Sequence, residues 1–285
     1  MWFWIIAIAI VLLLLYALDR EIYFYEATHL GPRVQAWLYD RWAKNYDKSK
    51  GESQKRDADM LARPTMDALC DISAPFILDL ATGTGRLPLT LLKETRFNGH
   101  IIALDVSQGM LEKASQKLES YQGRFTLLRL IDFPLPFPDN SFDMVSCMEA
   151  LEVMPEMDRP LRELFRVLRP GGFFLTSRGT EASGRKSKVI NKSSFKSLLE
   201  SKGFEQVEVT PWWKWFDRVT ARKPGQLTPS NHQKLTEALK CPACEKINWM
   251  SESTYLKCIE CGIRYRFMKT ELCCTNPIDK PSPSA

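Results

Sequence analysis

The chain has 285 residues, 45% of them hydrophobic and 26% charged, with a formal net charge of +5. That length holds one sizeable α/β core with smaller appendages, and the composition is that of a folded protein. The mild positive charge suits an anionic membrane surface or nucleic acid, but a solvated basic surface accounts for it equally well.

The first eighteen residues, MWFWIIAIAIVLLLLYAL, carry no charged side chain and stop abruptly at Asp19-Arg20-Glu21. As a helix they reach roughly 27 Å, close to the roughly 30 Å hydrocarbon core of a bilayer. Trp2, Phe3 and Trp4 at one end, and Tyr16, Tyr23 and Tyr25 towards the other, suit the two interfaces. A cleaved signal peptide is the alternative, but no Lys or Arg precedes the apolar run and no small-x-small site follows it. Arg20, Arg33, Arg41, Lys44, Lys48, Lys50, Lys55 and Arg56 all follow the span. The positive-inside rule then predicts a single-pass membrane protein with its catalytic domain in the cytoplasm.

From about Pro75 short apolar runs alternate with helix-like stretches. PFILDLA, HIIALDV, RFTLLRLI, FDMVSCM and GGFFLTSR read as strands, while PLTLLKET, QGMLEKASQKLES and RPLRELFRVL carry apolar residues at helical spacing. Ser107 is placed to cap a helix, and Arg169-Pro170-Gly171-Gly172 to stop one. Strands alternating with helices imply a parallel sheet covered on both faces.

The first strand-to-helix turn is Asp79-Leu80-Ala81-Thr82-Gly83-Thr84-Gly85. Glycines there let a ligand approach the backbone, although on their own they fit a tight structural turn as well. Asp105 closes the second strand twenty residues after Gly85. An acid at that place can accept hydrogen bonds from both hydroxyls of a ribose, so turn and acid together point to a nucleoside site.

ILDLATGTGRLPLTLL, IIALDVSQGMLEKA, LPFPDNSFDMV and LRELFRVLRPGGFFLTS, in this order, resemble the class I S-adenosylmethionine-dependent methyltransferases. The similarity is greatest to the ubiquinone/menaquinone-biosynthesis C-methyltransferase group and runs from about Trp37 to Pro224. A dinucleotide dehydrogenase fits LPFPDNSFD and RVLRPGG poorly. The resemblance implies a Rossmann-like α/β fold, with a mostly parallel seven-stranded sheet and helices on both faces. It also implies cofactor roles. Asp79 and the backbone of Ala81, Thr82, Gly83, Thr84 and Gly85 hold the amino-acid moiety, and Asp105 binds the ribose. Val106 and Met110 pack on the adenine, Asp132 takes its amino group with Ile131 and Phe133 alongside, and Met148 lines the methyl-donor end. Tyr46, in WAKNYDKS, matches a tyrosine that closes over the cofactor. Two positions depart from the family pattern: Ala81 replaces a glycine, and Asp132 lies one residue off the usual acid, which leaves Ile131 in that slot.

Methyl transfer needs a base only where the acceptor must lose a proton. Glu149 and Glu152 follow Met148, but an acid at a helix start is the competing reading, and no catalytic residue is assigned. His29, His100 and His232 fall outside the motifs and are expected to face solvent. Past Ser177 come a loop, a helix opening near Ser193-Ser194 and an edge strand. The cluster Trp212, Trp213, Trp215 and Phe216 beside Lys214 and Arg218 is either core packing or a surface that dips into a membrane interface.

Cys70 and Cys147 lie alone, whereas six cysteines crowd the C-terminal end, as expected of a reduced compartment with a metal site. Cys241-Pro-Ala-Cys244 and Cys258-Ile-Glu-Cys261, thirteen residues apart, suit one structural zinc held by four thiolates. The segment resembles small zinc ribbons of methyltransferase partners. Cys273 and Cys274 fall outside that ligand set. The expected organisation is an anchor at 1–18, a juxtamembrane segment and helical cap at 19–74, the methyltransferase domain at 75–225, a linker at 226–239, the ribbon at 240–268 and a disordered tail at 269–285.

The anchor favours a lipophilic acceptor such as a quinone precursor or another lipid, because tethering raises its local concentration. The alternative is an RNA or protein methyltransferase using the ribbon to dock substrate or partner. Nucleic acid is not expected, since no basic-aromatic RNA-binding module is present. A non-enzymatic scaffold is opposed by the intact Asp79 turn and Asp105.

Overall fold

A computed structural model of the chain describes residues 2–183, 189–228, 234–268 and 271–277. α1 (Trp2–Asp19) has no buried residue and runs on through Arg20–Phe24 as a π turn. It is long and apolar enough to cross a membrane. α2 (Pro32–Trp42), α3 (Tyr46–Gln54) and α4 (Arg63–Ala68) form a cap over the α/β body. That body is β1 (Phe76–Leu80), α5 (Arg86–Leu92), β2 (His100–Asp105), α6 (Gln108–Leu118), β3 (Phe125–Arg129), β4 (Phe142–Cys147), α7 (Asp158–Val167), β5 (Leu168–Gly179), α8 (Lys192–Ser201), β6 (Glu205–Trp213) and β7 (Phe216–Arg222). A short α9 (Leu235–Ala238) leads to β8 (Trp249–Ser251), β9 (Tyr255–Cys258), β10 (Arg264–Met268) and β11 (Glu271–Pro277).

β1 to β5 are parallel, and β7 lies antiparallel between β5 and β6. The sheet order is β6-β7-β5-β4-β1-β2-β3, continued by β11-β10-β9-β8. The seven-stranded sheet is thus present, but among the described residues it is part of an eleven-stranded one. Side chains alternate between two layers, as the pleat requires. Phe76, Leu78, Ile102 and Leu104 face α7 and α8, while Ile77, Ile101 and Ala103 face α5 and α6. Ser107 caps α6, its Oγ accepting from Met110 N at 3.1 Å. α7 stops at Val167, and Arg169–Gly172 already belongs to β5, which begins where the helix ends.

The C-terminal region differs from expectation. A disordered tail from 269 is contradicted at 271–277. β11 pairs in parallel with β3, Glu271 opposite Leu127 and Cys273 opposite Arg129, and residues 278–285 lie outside the described part. The expected linker is also partly core: Leu235, Ala238 and Leu239 are buried with Leu128, Leu135 and Phe137, and so are Leu256, Ile263, Tyr265 and Leu272 beyond it. An edge strand exposes unpaired N–H and C=O groups, and pairing β11 with β3 removes that exposure. Leu272 of this strand is fully buried.

Two further placements correct the sequence reading. His100 is half-buried, its Nε2 2.9 Å from Thr126 Oγ1, and burial lowers its pKa; His232 is outside the described residues. Trp212 is core at 1% exposure, whereas Trp215 on the β6–β7 turn is 41% exposed, so the cluster divides between the two readings.

Because ribbon and body share one apolar core, they should unfold together. Leu256→Ala is expected to cost about 2–5 kcal/mol and to shift a single cooperative transition in denaturant, measured on the detergent-solubilised chain. A separate, early ribbon transition would contradict the shared core.

Candidate functional site

The strand order reverses direction between β1 and β4, and the carboxyl ends of parallel strands diverge there to leave a crevice. A cavity of about 410 Å³ opens at this place. Tyr46, Ala81, Gly83, Asp105, Val106, Met110, Ile131, Asp132, Phe133 and Met148 all line it. A smaller pocket of about 50 Å³ beside it is lined by Asp79, Thr82 and Thr84 and shares Tyr46, Ala81, Gly83, Met148 and Glu149. Of the residues given cofactor roles from sequence, Gly85 alone lines neither. A Cβ on it would come within 3.1 Å of the Ala114 Cβ, so it serves the packing of α5 on α6.

The turn after β1 is sharply bent. Ala81 (φ 56), Gly83 (φ 56) and Gly85 (φ 77) all adopt the left-handed conformation. For Ala81 that costs on the order of 1 kcal/mol, a local strain concentrated at a residue that lines the cavity. Gly83 leaves open space: a Cβ there would meet only Tyr46 Cε1, at 4.0 Å.

Two buried carboxyls dominate the electrostatics. Asp105 accepts from Gly83 N and from Ser107 N, each at 2.8 Å, which ties β2 to the glycine turn. Asp79 Oδ1 accepts from Ser146 Oγ at 2.7 Å, while its Oδ2 and the hydroxyl of Thr82 are buried without a hydrogen-bond partner. The Thr82 hydroxyl is near enough to temper the Asp79 charge without making a well-formed hydrogen bond to it. Burial pushes Asp79 up to about 6, with the Asp105 charge adding to it. Burial likewise pushes Asp105 up to about 6, against the Ser107, Gly83 and Val106 amides. An orphaned buried carboxylate oxygen beside an open cavity is the signature of a site that expects a donor from a ligand.

The cap closes this floor through its acids. Asp40 Oδ1 accepts from Ser107 Oγ (2.6 Å) and Gly109 N (2.8 Å). Asp47 Oδ1 accepts from Thr84 Oγ1 (2.6 Å) and from Lys117 Nζ (2.8 Å). Gln35 Nε2 donates to Val153 O at 2.8 Å, joining α2 to the loop on the far side of the cavity. Burial holds the Tyr46 phenol above its usual range, so it stays a neutral hydroxyl.

Glu149, considered as a base, has both oxygens engaged: Arg86 Nη1 binds Oε1 at 2.9 Å and Lys50 Nζ binds Oε2. Arg86 also grips Asp57 at 2.6 Å and lies over the Trp212 ring at 4.7 Å. Glu152 is buried and does not line the cavity. Asp132 lines it but is largely exposed and pairs with Arg159 at 3.2 Å, with Ile131 beside it. Sequence reasoning missed Asp40, Asp57, Lys50 and Arg86, whose charges read as ordinary surface. Their only signal was the density of ionisable residues between Asp40 and Asp57.

In the ribbon, Cys241, Cys244, Cys258 and Cys261 bring their sulfurs within 4.8 Å of one another. Cys241–Cys261 Sγ lie 3.7 Å apart and Cys244–Cys258 Sγ 3.6 Å apart. Four thiolates about 2.3 Å from a tetrahedral zinc stand about 3.8 Å from each other, so the donors fit the ion. No ribbon residue lines the cavity.

A family model described as S-adenosyl-L-methionine-dependent methyltransferase matches residues 126–271, and one described as a methyltransferase domain matches 77–172. The demethylmenaquinone methyltransferase of Symbiobacterium thermophilum is 34% identical over 145 residues, covering 48% of this chain and 56% of the relative. That of Lactiplantibacillus plantarum is 29% identical over 198 residues, covering 69% and 74%. The chain thus spans little more than half the length of the first of these relatives, at 56%. A solved S-adenosyl-L-methionine-dependent methyltransferase from Methanococcus maripaludis shares the fold, with a TM-score of 0.53 at 20% identity over 66% of this chain and 95% of that one.

Two measurements check this site. Asp79 is ionised at neutral pH although the fold favours its protonated form, so the stability it contributes is present below about pH 4 and lost as pH rises through about 6. Asp79→Asn should therefore stabilise the ligand-free chain at pH 7–8 by up to about 3 kcal/mol, read in denaturant, and leave its stability unchanged near pH 4. A variant equally unstable at both pH values would contradict the burial argument. Metal analysis should find one zinc per chain, lost in Cys258→Ser together with part of the thermal stability.

Proposed function

Because the chain belongs to the S-adenosyl-L-methionine-dependent methyltransferases, we propose that its cavity binds this cofactor and methylates a lipophilic small molecule, such as a quinone precursor, drawn from a membrane. The observation that carries the cofactor part is the cradle formed by the turn at Ala81–Thr84, the buried Asp105 and the half-satisfied Asp79, which line the cavity and the smaller pocket that adjoins it.

When bound, S-adenosylmethionine supplies a methyl group on a sulfonium, already activated for in-line displacement. The roles of the chain's own residues follow from their positions. Asp105 accepts from the ribose hydroxyls, and Val106, Met110, Ile131 and Phe133 enclose the adenine, with Asp132 or Ile131 at its edge. Asp79 Oδ2 and the Thr82 hydroxyl take the cofactor's ammonium side, where a donor satisfies the buried oxygen. Tyr46 closes above Gly83 and Met148 lines the donor end. This enclosure positions the acceptor and excludes water, and such orientation contributes roughly 7–11 kcal/mol in well-aligned cases. With Glu149 held between Arg86 and Lys50, the proposal assigns no general base.

The acceptor is inferred from two supports. The relatives are named demethylmenaquinone methyltransferases, and the remaining cavity wall carries an apolar stretch of Pro32, Val153, Met154, Pro155 and Pro160 beside the polar Gln35, Glu156 and Arg159. α1 would hold the body at the cytoplasmic face of a bilayer, the side on which its basic flank favours placement. The domain organisation proposed is anchor, cap, methyltransferase body and a zinc ribbon that braces the β3 edge.

Labelled cofactor incubated with the full chain and separate lipid, quinol and RNA extracts tests the acceptor: label should enter the quinol or lipid fraction. Label found only in RNA would overturn it. Asp105→Ala should weaken cofactor binding by about 1.5–3 kcal/mol, tenfold or more in Kd by calorimetry. Unchanged binding would sink the assignment of the ribose site.

A further inference from the structure

α2 has two faces of different character. Pro32, Gln35 and Tyr39 recur at helical spacing and line the cavity. On the opposite side Val34 and Trp37, three residues apart, are 39% and 54% exposed, and Leu30, which ends the short 3-10 turn before Gly31 and α2, is 48% exposed. Arg41 continues the α2 stripe, its guanidinium 5.1 Å above the Trp37 ring. Outward Val34 and Trp37 on a helix that otherwise packs inward are not explained by the fold.

Between Glu26 and Lys48 the charges are sorted in the same sense. The acids there turn inward: Glu26 accepts from the Tyr39 hydroxyl, Asp40 holds Ser107 and Gly109, and Asp47 holds Thr84 and Lys117. The bases Arg33, Arg41, Lys44 and Lys48 are all exposed. The outer surface is therefore apolar and cationic together, the combination that suits the headgroup and acyl boundary of an anionic bilayer. Its place relative to α1 is fixed by a compact turn. Ala27 N donates to Glu21 O at 2.9 Å, and His29 contacts both Glu21 carboxylate oxygens, through N at 3.0 Å and Nδ1 at 2.9 Å. Seven residues, tied in this way, separate the end of the apolar helix at Phe24 from Pro32.

We propose that the outer face of α2 lies in the interface of an anionic membrane, so that one helix contacts lipid with Val34 and Trp37, next to Leu30 of the preceding turn, and roofs the cavity with Pro32, Gln35 and Tyr39. This rests on the reading of α1 as a membrane span, and deepens it. A lipid-dissolved acceptor then reaches the cavity around the edge of α2 without crossing bulk water. Arg33, Arg41, Lys44 and Lys48 would each add attraction to anionic headgroups.

The test uses the full chain reconstituted in phosphatidylcholine/phosphatidylglycerol vesicles, as wild type and as Trp37→Phe, which leaves the cavity wall untouched. The difference between their emission spectra isolates Trp37. The expected result is a Trp37 signal quenched by brominated lipid and shielded from aqueous acrylamide. Vesicle flotation after alkaline carbonate reads α1 independently. A chain that floats while Trp37 remains open to acrylamide and indifferent to brominated lipid overturns the proposal and leaves the span standing. A chain that does not float overturns both. Shielding of Trp37 that appears only on adding RNA or a soluble protein also overturns it.

Discussion

Two carboxyls buried at the ends of adjacent strands set the terms for the rest of the structure. Asp79 and Asp105 sit on neighbouring parallel strands, where burial disfavours their charge and the charge of Asp105 raises the pKa of Asp79 further. Replacing either by an apolar residue would make a firmer core. Their retention makes sense only if something binds there that needs them, and the surrounding chain is arranged to keep them in place. The glycine turn, Ser107 and Ser146 supply partial compensation from within. The cap supplies the enclosure.

That cap joins ionic and hydrogen-bonded clasps at α2 and α3 to an apolar interface around α4, where Met60, Leu61, Ala62, Met66 and Leu69 are buried with Ile77, Leu87 and Leu91. Asp40 reaches the start of α6, Asp47 reaches Thr84 and Lys117, and Arg86 bridges Asp57 to Glu149. Polar clasps of this kind make and break at lower cost than a packed core, which suits a lid over a site that must admit both cofactor and acceptor. The engagement of Glu149 belongs to this clasp. A residue that sequence places beside the reacting centre is used to hold two elements together.

What could be read from the residues obeys a physical pattern. The nucleotide-type floor was legible because its demands are local: glycine conformations at a turn, an acid at the next strand end, apolar strands of the right length. The zinc ligands were legible for the same reason, since a knuckle sets its own spacing. Contacts between distant segments were not. Nothing in Asp57 or Lys50 distinguishes a partner of Arg86 and Glu149 from a solvated charge. The tail read as disordered because its prolines and polar residues give no strand period, yet β11 takes its order from the open edge of β3. His100 looked solvent-facing because its burial comes from neighbouring strands rather than its own.

The completion of β3 by β11 has a bearing on how the protein is made. Parallel pairing joins residues 127–129 to 271–273, so the edge of the nucleotide-type sheet stays open until the ribbon has emerged and turned back. During synthesis Phe125–Arg129 stands as an unpaired, apolar margin, the kind of surface that attracts chaperones or a neighbouring nascent chain. With α1 inserted as proposed, a chain whose β3 edge is sealed late by β11 would be held at the bilayer through that whole interval. Its biogenesis, like its proposed chemistry, would then be confined to two dimensions.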